Sequence, residues 1–231
     1  MTEGGGLRGL DVVIRFTDLG HLPRLEQCVF ALFGQVMGDG AGRSALVPMQ
    51  IHVILPRFSF AEVQAVRSAL QPLRGLSDAV SLALHNWDYP EPHDLRVPML
   101  NLGLERATGR YVACLEVGDL LHPDAYLHLL TRLQDSNAAL ALGGLAEQRV
   151  AWWGDVILPL PVADRWQQGD GHAAPAFLLD RTRIALPDLV FQAARPEAAI
   201  DVFLERMRER YSVDGEYPPA RLGFRQILRD R

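Results

Sequence analysis

Tyr111-Val-Ala-Cys-Leu115 is a short, almost wholly apolar run, bounded by Gly109 on one side and by Glu116-Val-Gly-Asp119 on the other. Such a run suits a strand buried on both faces, the environment found inside a parallel sheet. Leu10-Asp-Val-Val-Ile-Arg-Phe16, Ile51-His-Val-Ile-Leu55 and Val80-Ser-Leu-Ala-Leu84 read as strands too. Between them, apolar residues return at helical spacing. Leu25, Cys28, Val29, Leu32 and Val36 form one stripe, ending near Gly38, and Val63, Val66, Leu70 and Leu73 form a second. The second stripe is preceded by Ser59 and Glu62, the two halves of a capping box. A chain that alternates in this way predicts a mainly parallel sheet with helices on both faces. No fixed-period repeat competes with that reading.

The later sequence is less regular. Pro123 suits the first turn of a helix whose apolar face is Tyr126, Leu129, Leu130 and Leu133. Ala138-Ala-Leu-Ala-Leu-Gly-Gly144 is a further strand running into a glycine pair, and Ala176-Phe-Leu-Leu179 a short one entering Asp180-Arg181. Ile200, Phe203, Leu204, Met207 and Tyr211 mark a final amphipathic helix. The stretch 86–94 is a turn-rich surface loop, and 166–172 is expected to be more mobile than the sheet, having little to bury. Gly38-Asp-Gly-Ala-Gly-Arg-Ser44 lacks the Lys-Ser/Thr pair and the clear preceding strand of an NTPase phosphate loop.

Composition sets broad limits. The chain has 231 residues, 48% hydrophobic and 22% charged, which fits one globular domain. Its net charge of −5 argues against a nucleic-acid surface, and all 23 basic residues are Arg. Cys28 and Cys114 fall in apolar segments and read as small core residues in a reducing compartment. No apolar run reaches the length of a membrane span, and the opening Met1-Thr-Glu-Gly-Gly-Gly lacks the regions of a signal peptide. A cytoplasmic protein is expected, with peripheral membrane association left open.

The acidic residues after Leu115 give the chain its chemistry. Carboxylates that follow a buried strand emerge at the edge where open α/β sheets bind ligands. Solvated acids beside a helix start are the plain alternative. A phosphate-bearing ligand would be repelled by Glu116 and Asp119 unless a divalent cation bridged the charges.

Asn101-Leu-Gly103, then Gly109-Arg-Tyr111, then the acidic cluster, together resemble the central signature of family 2 glycosyltransferases of the GT-A fold. The resemblance covers about residues 10–145 and extends loosely beyond. It implies a single GT-A-like domain over 1–231, with a nucleotide-sugar-binding half at about 10–145 and an acceptor-side half at about 146–231. The implied activity is inverting, metal-dependent transfer of a sugar from a nucleotide diphosphate sugar to a carbohydrate or lipid-linked acceptor, as in polysaccharide biosynthesis. Donor contacts fall on Arg15, Thr17, Asp18, Asn101, Glu116 and Asp119, with Asp119 also holding Mg2+ or Mn2+. Asp201 is the expected catalytic base, with Glu197 and Asp180 as competitors. His172 is a second candidate ligand for the metal, and Trp152 and Trp153 are candidates for stacking on the acceptor.

Four departures from the family pattern stand out. Gly118 replaces an acid, Pro56-Arg-Phe-Ser59 replaces an Asp-rich turn, Leu100 stands where Arg is usual, and Ala31 where Ser is usual. Gly118, Pro56 and the erosion of the family's Glu-Asp pair at the late helix, where Glu197 and Asp201 are the available acids, favour as alternative a catalytically inactive GT-A-like domain that binds a nucleotide, a glycan or a partner protein. A nucleotidyltransferase ranks last, because Asp18-Leu-Gly-His-Leu-Pro23 is not a basic, Gly-rich phosphate loop.

Overall fold

The structure, a computed structural model, describes residues 9–35, 48–90, 92–153, 156–159, 174–192, 195–215 and 221–228. The candidate His172, the stretch 166–172 expected to be mobile and the loop 38–44 lie outside these residues, as do the side chains of Trp152 and Trp153.

Strand β1 (Leu10–Arg15) lies inside the sheet, between two parallel neighbours. Strands β2 (Met49–Pro56) and β3 (Val80–Trp87) add outward on one side of it, and β4 (Tyr111–Glu116) adds on the other, all parallel. All four lie where the apolar runs placed them. The register pairs Arg15 with Glu116 across β1 and β4, so both side chains leave the sheet at its C-terminal edge.

The helices pack on two faces. α1 (Leu22–Phe33), α2 (Phe60–Leu70) and α4 (Ala125–Ser136) cover one face, burying Leu25, Cys28, Val66, Leu70, Tyr126 and Leu129 against Val12, Ile14, Ile51 and Val53. α3 (Arg96–Arg106) and α5 (Ala199–Arg210) cover the other, where Met99, Leu104, Phe203 and Met207 meet Val13, Ile54, Val112 and Cys114. Adjacent residues of one strand serve opposite cores, which is why these strands read as unbroken apolar runs. The capping box at Ser59 and Glu62 is formed, with both side chains accepting from backbone N–H groups.

The second half of the chain extends the same sheet with mixed polarity. Its strands are β5 (Asp119–Leu121), β6 (Leu140–Trp153), β7 (Val156–Pro159), β8 (Ala174–Asp180), β9 (Val213–Gly215) and β10 (Arg221–Leu228). The order is β3-β2-β1-β4-β8-β6-β10-β5, with β7 and β9 also pairing with β6. Three features differ from the sequence reading. The strand expected to stop at Gly143-Gly144 runs on to Trp153, because β8 and β10 pair with it on either side and their ladders hold the glycines extended. β5 and β10 carry no apolar run long enough to announce them. The expected acidic loop is a two-residue turn: Asp119 is already the first residue of β5, paired with Arg225 of β10.

Among the described residues, no helix is long and apolar enough to cross a membrane. Both cysteines are buried and free, and burial pushes their thiols up, Cys114 to about 12.

Candidate active site

Strand order reverses at β1: the chain moves outward through β2 and β3, then returns to place β4 on the opposite flank. In an open α/β sheet, the crevice at the C-terminal edge of such a switch point is where ligands bind. Arg15 and Glu116 end the two strands that flank this crevice and form an ion pair with each other. Thr17 and Asp18 follow β1 at the same edge, both exposed. Asp18 caps a 3-10 turn over Leu19–His21 by accepting from Gly20 N at 2.8 Å.

Asp119 lies beside them but is turned inward. Its side chain is 1% exposed, and its two oxygens accept from Arg225 Nε at 2.6 Å and Nη2 at 2.7 Å. The Glu116 backbone N–H adds a third bond at 2.9 Å. Burial lowers the Arg225 pKa, but the Asp119 carboxylate more than offsets this and leaves the guanidinium firmly charged. Gly118, in the turn between them, has φ +99, and a Cβ there would overlap Arg24 of α1. Arg24 is 8% exposed, donates to the Gln226 carbonyl at 2.5 Å, and has its pKa lowered by burial although Asp119 opposes the shift.

The donor set therefore does not fit a divalent cation. Both Asp119 oxygens are held by a guanidinium, Glu116 is held by Arg15, and a glycine stands between them. Among the described residues, no group of three or more His, Cys, Asp or Glu is placed to hold a metal ion.

The remaining motif residues act on the fold. Asn101 donates to the Phe191 carbonyl at 3.0 Å and accepts from Phe191 N at 2.7 Å, which fastens the loop before α5 to α3. Both ends of its amide are thus engaged away from the crevice. Gly103 lets α3 lie directly on β1, since a Cβ there would overlap the Val13 side chain. Thr108 N and Gly109 N donate to Asp11 Oδ2, at 2.6 and 2.5 Å, so the turn entering β4 is tied to β1. Leu100 is buried in the α3 face of the core. Gln35 bridges α1 to the start of α4, donating to the His122 carbonyl at 2.8 Å and accepting from Tyr126 N at 3.2 Å. In the turn after β2, Arg57 has φ +51 and donates to the Tyr89 and Pro92 carbonyls, at 2.7 and 2.6 Å.

The candidate bases separate cleanly. Asp180 pairs in register with Tyr111, the first residue of β4, and so lies at the opposite edge of the sheet from Glu116. It is fully buried and bonded to Arg110 and Thr182; burial raises its pKa, but these partners outweigh it and hold the carboxyl below the usual range. That rules it out as a base at the crevice. Asp201 is exposed in the first turn of α5. Glu197, in the 3-10 turn just before α5, lies 4.0 Å from Arg96 at the start of α3. Arg96 also bonds Asp94 and holds its carboxyl below the usual range, with a smaller contribution from Arg15.

Two hollows lie elsewhere. One of about 210 Å³, lined by Gly9, Asp11, Pro48, Thr108 and Gly109, is at the N-terminal edge. The other, about 260 Å³, lies against β3 and α3 beside His85, Trp87 and Arg106. Neither sits at the switch point, and the Asp11 carboxylate in the first is already spent on His52 and two backbone amides.

No family model matches the sequence, and no curated protein matches it. Solved structures do match in shape. TarS of S. aureus, residues 1–349, superposes with a TM-score of 0.61 at 9% identity, over 94% of this chain and 60% of that one. The same protein in complex with UDP gives 0.59 over 96% and 61%. The mannosyltransferase PcManGT of Pyrobaculum calidifontis, in complex with GDP-Man and Mn2+, gives 0.58 at 13% identity, over 97% and 57%. The chain thus spans about three fifths of the length of these structures. At such identities the likeness defines the fold: a GT-A fold, with the mixed, mostly parallel sheet and flanking helices of these glycosyltransferases.

Proposed function

We propose that this chain is a glycosyltransferase that takes a sugar from a nucleotide diphosphate sugar. The observation that carries the reading is the β1/β4 switch-point crevice, edged by Arg15 and Glu116, in a GT-A fold whose neighbours include proteins solved with UDP, UDP-GlcNAc and GDP-Man. Thr17 and Asp18 are assigned to the nucleoside, Arg15 and Glu116 to the diphosphate side. Residues from about 146 onward are assigned to the acceptor, a carbohydrate or lipid-linked hydroxyl, in a cytoplasmic enzyme of polysaccharide biosynthesis.

In the proposed inverting step the acceptor oxygen attacks the anomeric carbon as the bond from that carbon to the diphosphate oxygen breaks. The nucleoside diphosphate leaves with the bonding pair, and the acceptor proton passes to Asp201. Asp201 is preferred over Glu197 because the latter already faces Arg96. The metal that PcManGT is solved with has no fitting ligand set among the described residues here, so no step is routed through one. The inward-turned Asp119 also favours a second reading, a GT-A domain that binds a nucleotide without turnover. A panel of nucleotide diphosphate sugars, assayed for binding and for nucleoside diphosphate release with a mixture of glycan and lipid-linked acceptors, separates the two. Release of nucleoside diphosphate supports the enzyme, and saturable binding without release supports the binding domain.

A further inference from the structure

We infer that this chain holds the diphosphate of its nucleotide ligand with the guanidinium groups of Arg15, Arg24 and Arg225, without a divalent cation; the inference rests on the donor-site reading above. In the metal-bridged arrangement that the sequence implied, carboxylates and diphosphate are both anionic and a cation must sit between them. Here that cation is supplied covalently. Arg225 occupies both oxygens of Asp119, Arg15 pairs with Glu116, and Arg24 fills the space that a side chain at 118 would need. Three guanidinium groups thus face two carboxylates at the switch point, with the exposed Glu147 felt more weakly by Arg225.

The hydrogen-bond inventory points the same way. Eight buried side-chain polar atoms among the described residues lack a partner, and three of them are donors in this cluster: Arg15 Nε and Nη1, and Arg24 Nε. Buried donors are rarely left unmatched, so such a concentration at one place calls for a ligand. These three are guanidinium N–H groups, whose planar fork suits the oxygens of a diphosphate. Arg225 remains one-quarter exposed and Arg15 13% exposed.

The test is calorimetric titration of the full chain with UDP, GDP, ADP, CDP and dTDP, and with inorganic pyrophosphate, in excess EDTA and in Mn2+. We expect one nucleoside diphosphate to bind in EDTA with a Kd within about threefold of that in Mn2+. Arg15→Gln should weaken it by about tenfold or more in both conditions, as the loss of a charged hydrogen bond requires. Arg225→Lys keeps the buried charge balanced but loses the fork, and should weaken binding while the thermal midpoint shows a folded protein. Nucleotide binding that appears only with Mn2+ overturns the inference and leaves the donor reading standing. Binding that is indifferent to both substitutions also overturns it. Pyrophosphate binding in EDTA without any nucleotide supports the arginine site while the donor reading fails. No binding of any of them overturns both.

Discussion

Gly118→Ala should destabilise the protein by about 3 kcal/mol. Two contributions add. A Cβ at φ +99 costs about 1–2 kcal/mol of backbone strain, since that region is poorly open to L-residues. The same Cβ overlaps Arg24, which must move and loosen its 2.5 Å bond to the Gln226 carbonyl; a hydrogen bond from a charged donor is worth about 1.5–3 kcal/mol. For a chain of this size each kcal/mol lowers Tm by about 2–4 °C, so a fall of about 6–12 °C is expected. Circular dichroism melts of the purified variant beside the parent protein measure it. Gly118→Asp introduces a carboxylate between Glu116 and Asp119 but meets the same obstruction, and Mn2+ should not raise its Tm. A Tm within 1 °C of the parent for Gly118→Ala would refute the placement of Arg24 over the turn.

Four further outcomes follow from the same contacts. Gly103→Ala should lower stability by about 1–3 kcal/mol through overpacking against the stiff, β-branched Val13, read as a lower midpoint in urea. Asp180→Ala leaves Arg110 without its carboxylate and should cost about 3–5 kcal/mol, whereas a catalytic role would show as lost turnover at unchanged stability. His85 has its pKa lowered from 6.5, by burial first and then by His52 and Arg106, so between the folded and unfolded pKa values the unfolded chain binds more protons. Stability should therefore fall as pH drops below about 6.5, and His85→Asn should flatten the Tm profile between pH 5 and 7. Asp201→Asn should reduce turnover by about a hundred- to ten-thousand-fold with nucleotide affinity unchanged, and unchanged turnover would transfer the role to Glu197.

How far the sequence could be read follows from the range of each interaction. The four parallel strands, the capping box and the face of α5 are written in local periodicity, and the structure places them where that periodicity does. The Asn-x-Gly run was legible as a signature, but not as what it does: Asn101 brackets Phe191, 90 residues away, and Gly103 is needed only because Val13 lies beneath it. Asp119 was legible as an acid after a strand. Its partner Arg225 was not, because it is 106 residues distant on a strand with only a faint alternation, Leu222-Gly-Phe-Arg-Gln-Ile227, to signal it. A pairing across that separation is fixed by sheet order, β6 to β10 to β5, which no local pattern in one sequence encodes.

The crevice itself is tested most directly by a crystal structure of the chain with the nucleoside diphosphate that binds it most tightly, grown in EDTA. The account predicts the diphosphate at the C-terminal edge between β1 and β4, with oxygens within hydrogen-bond distance of Arg15 and the nucleoside beside Thr17 and Asp18. A nucleotide seated instead in the hollow at the opposite edge, by Gly9, Asp11 and Thr108, would contradict it.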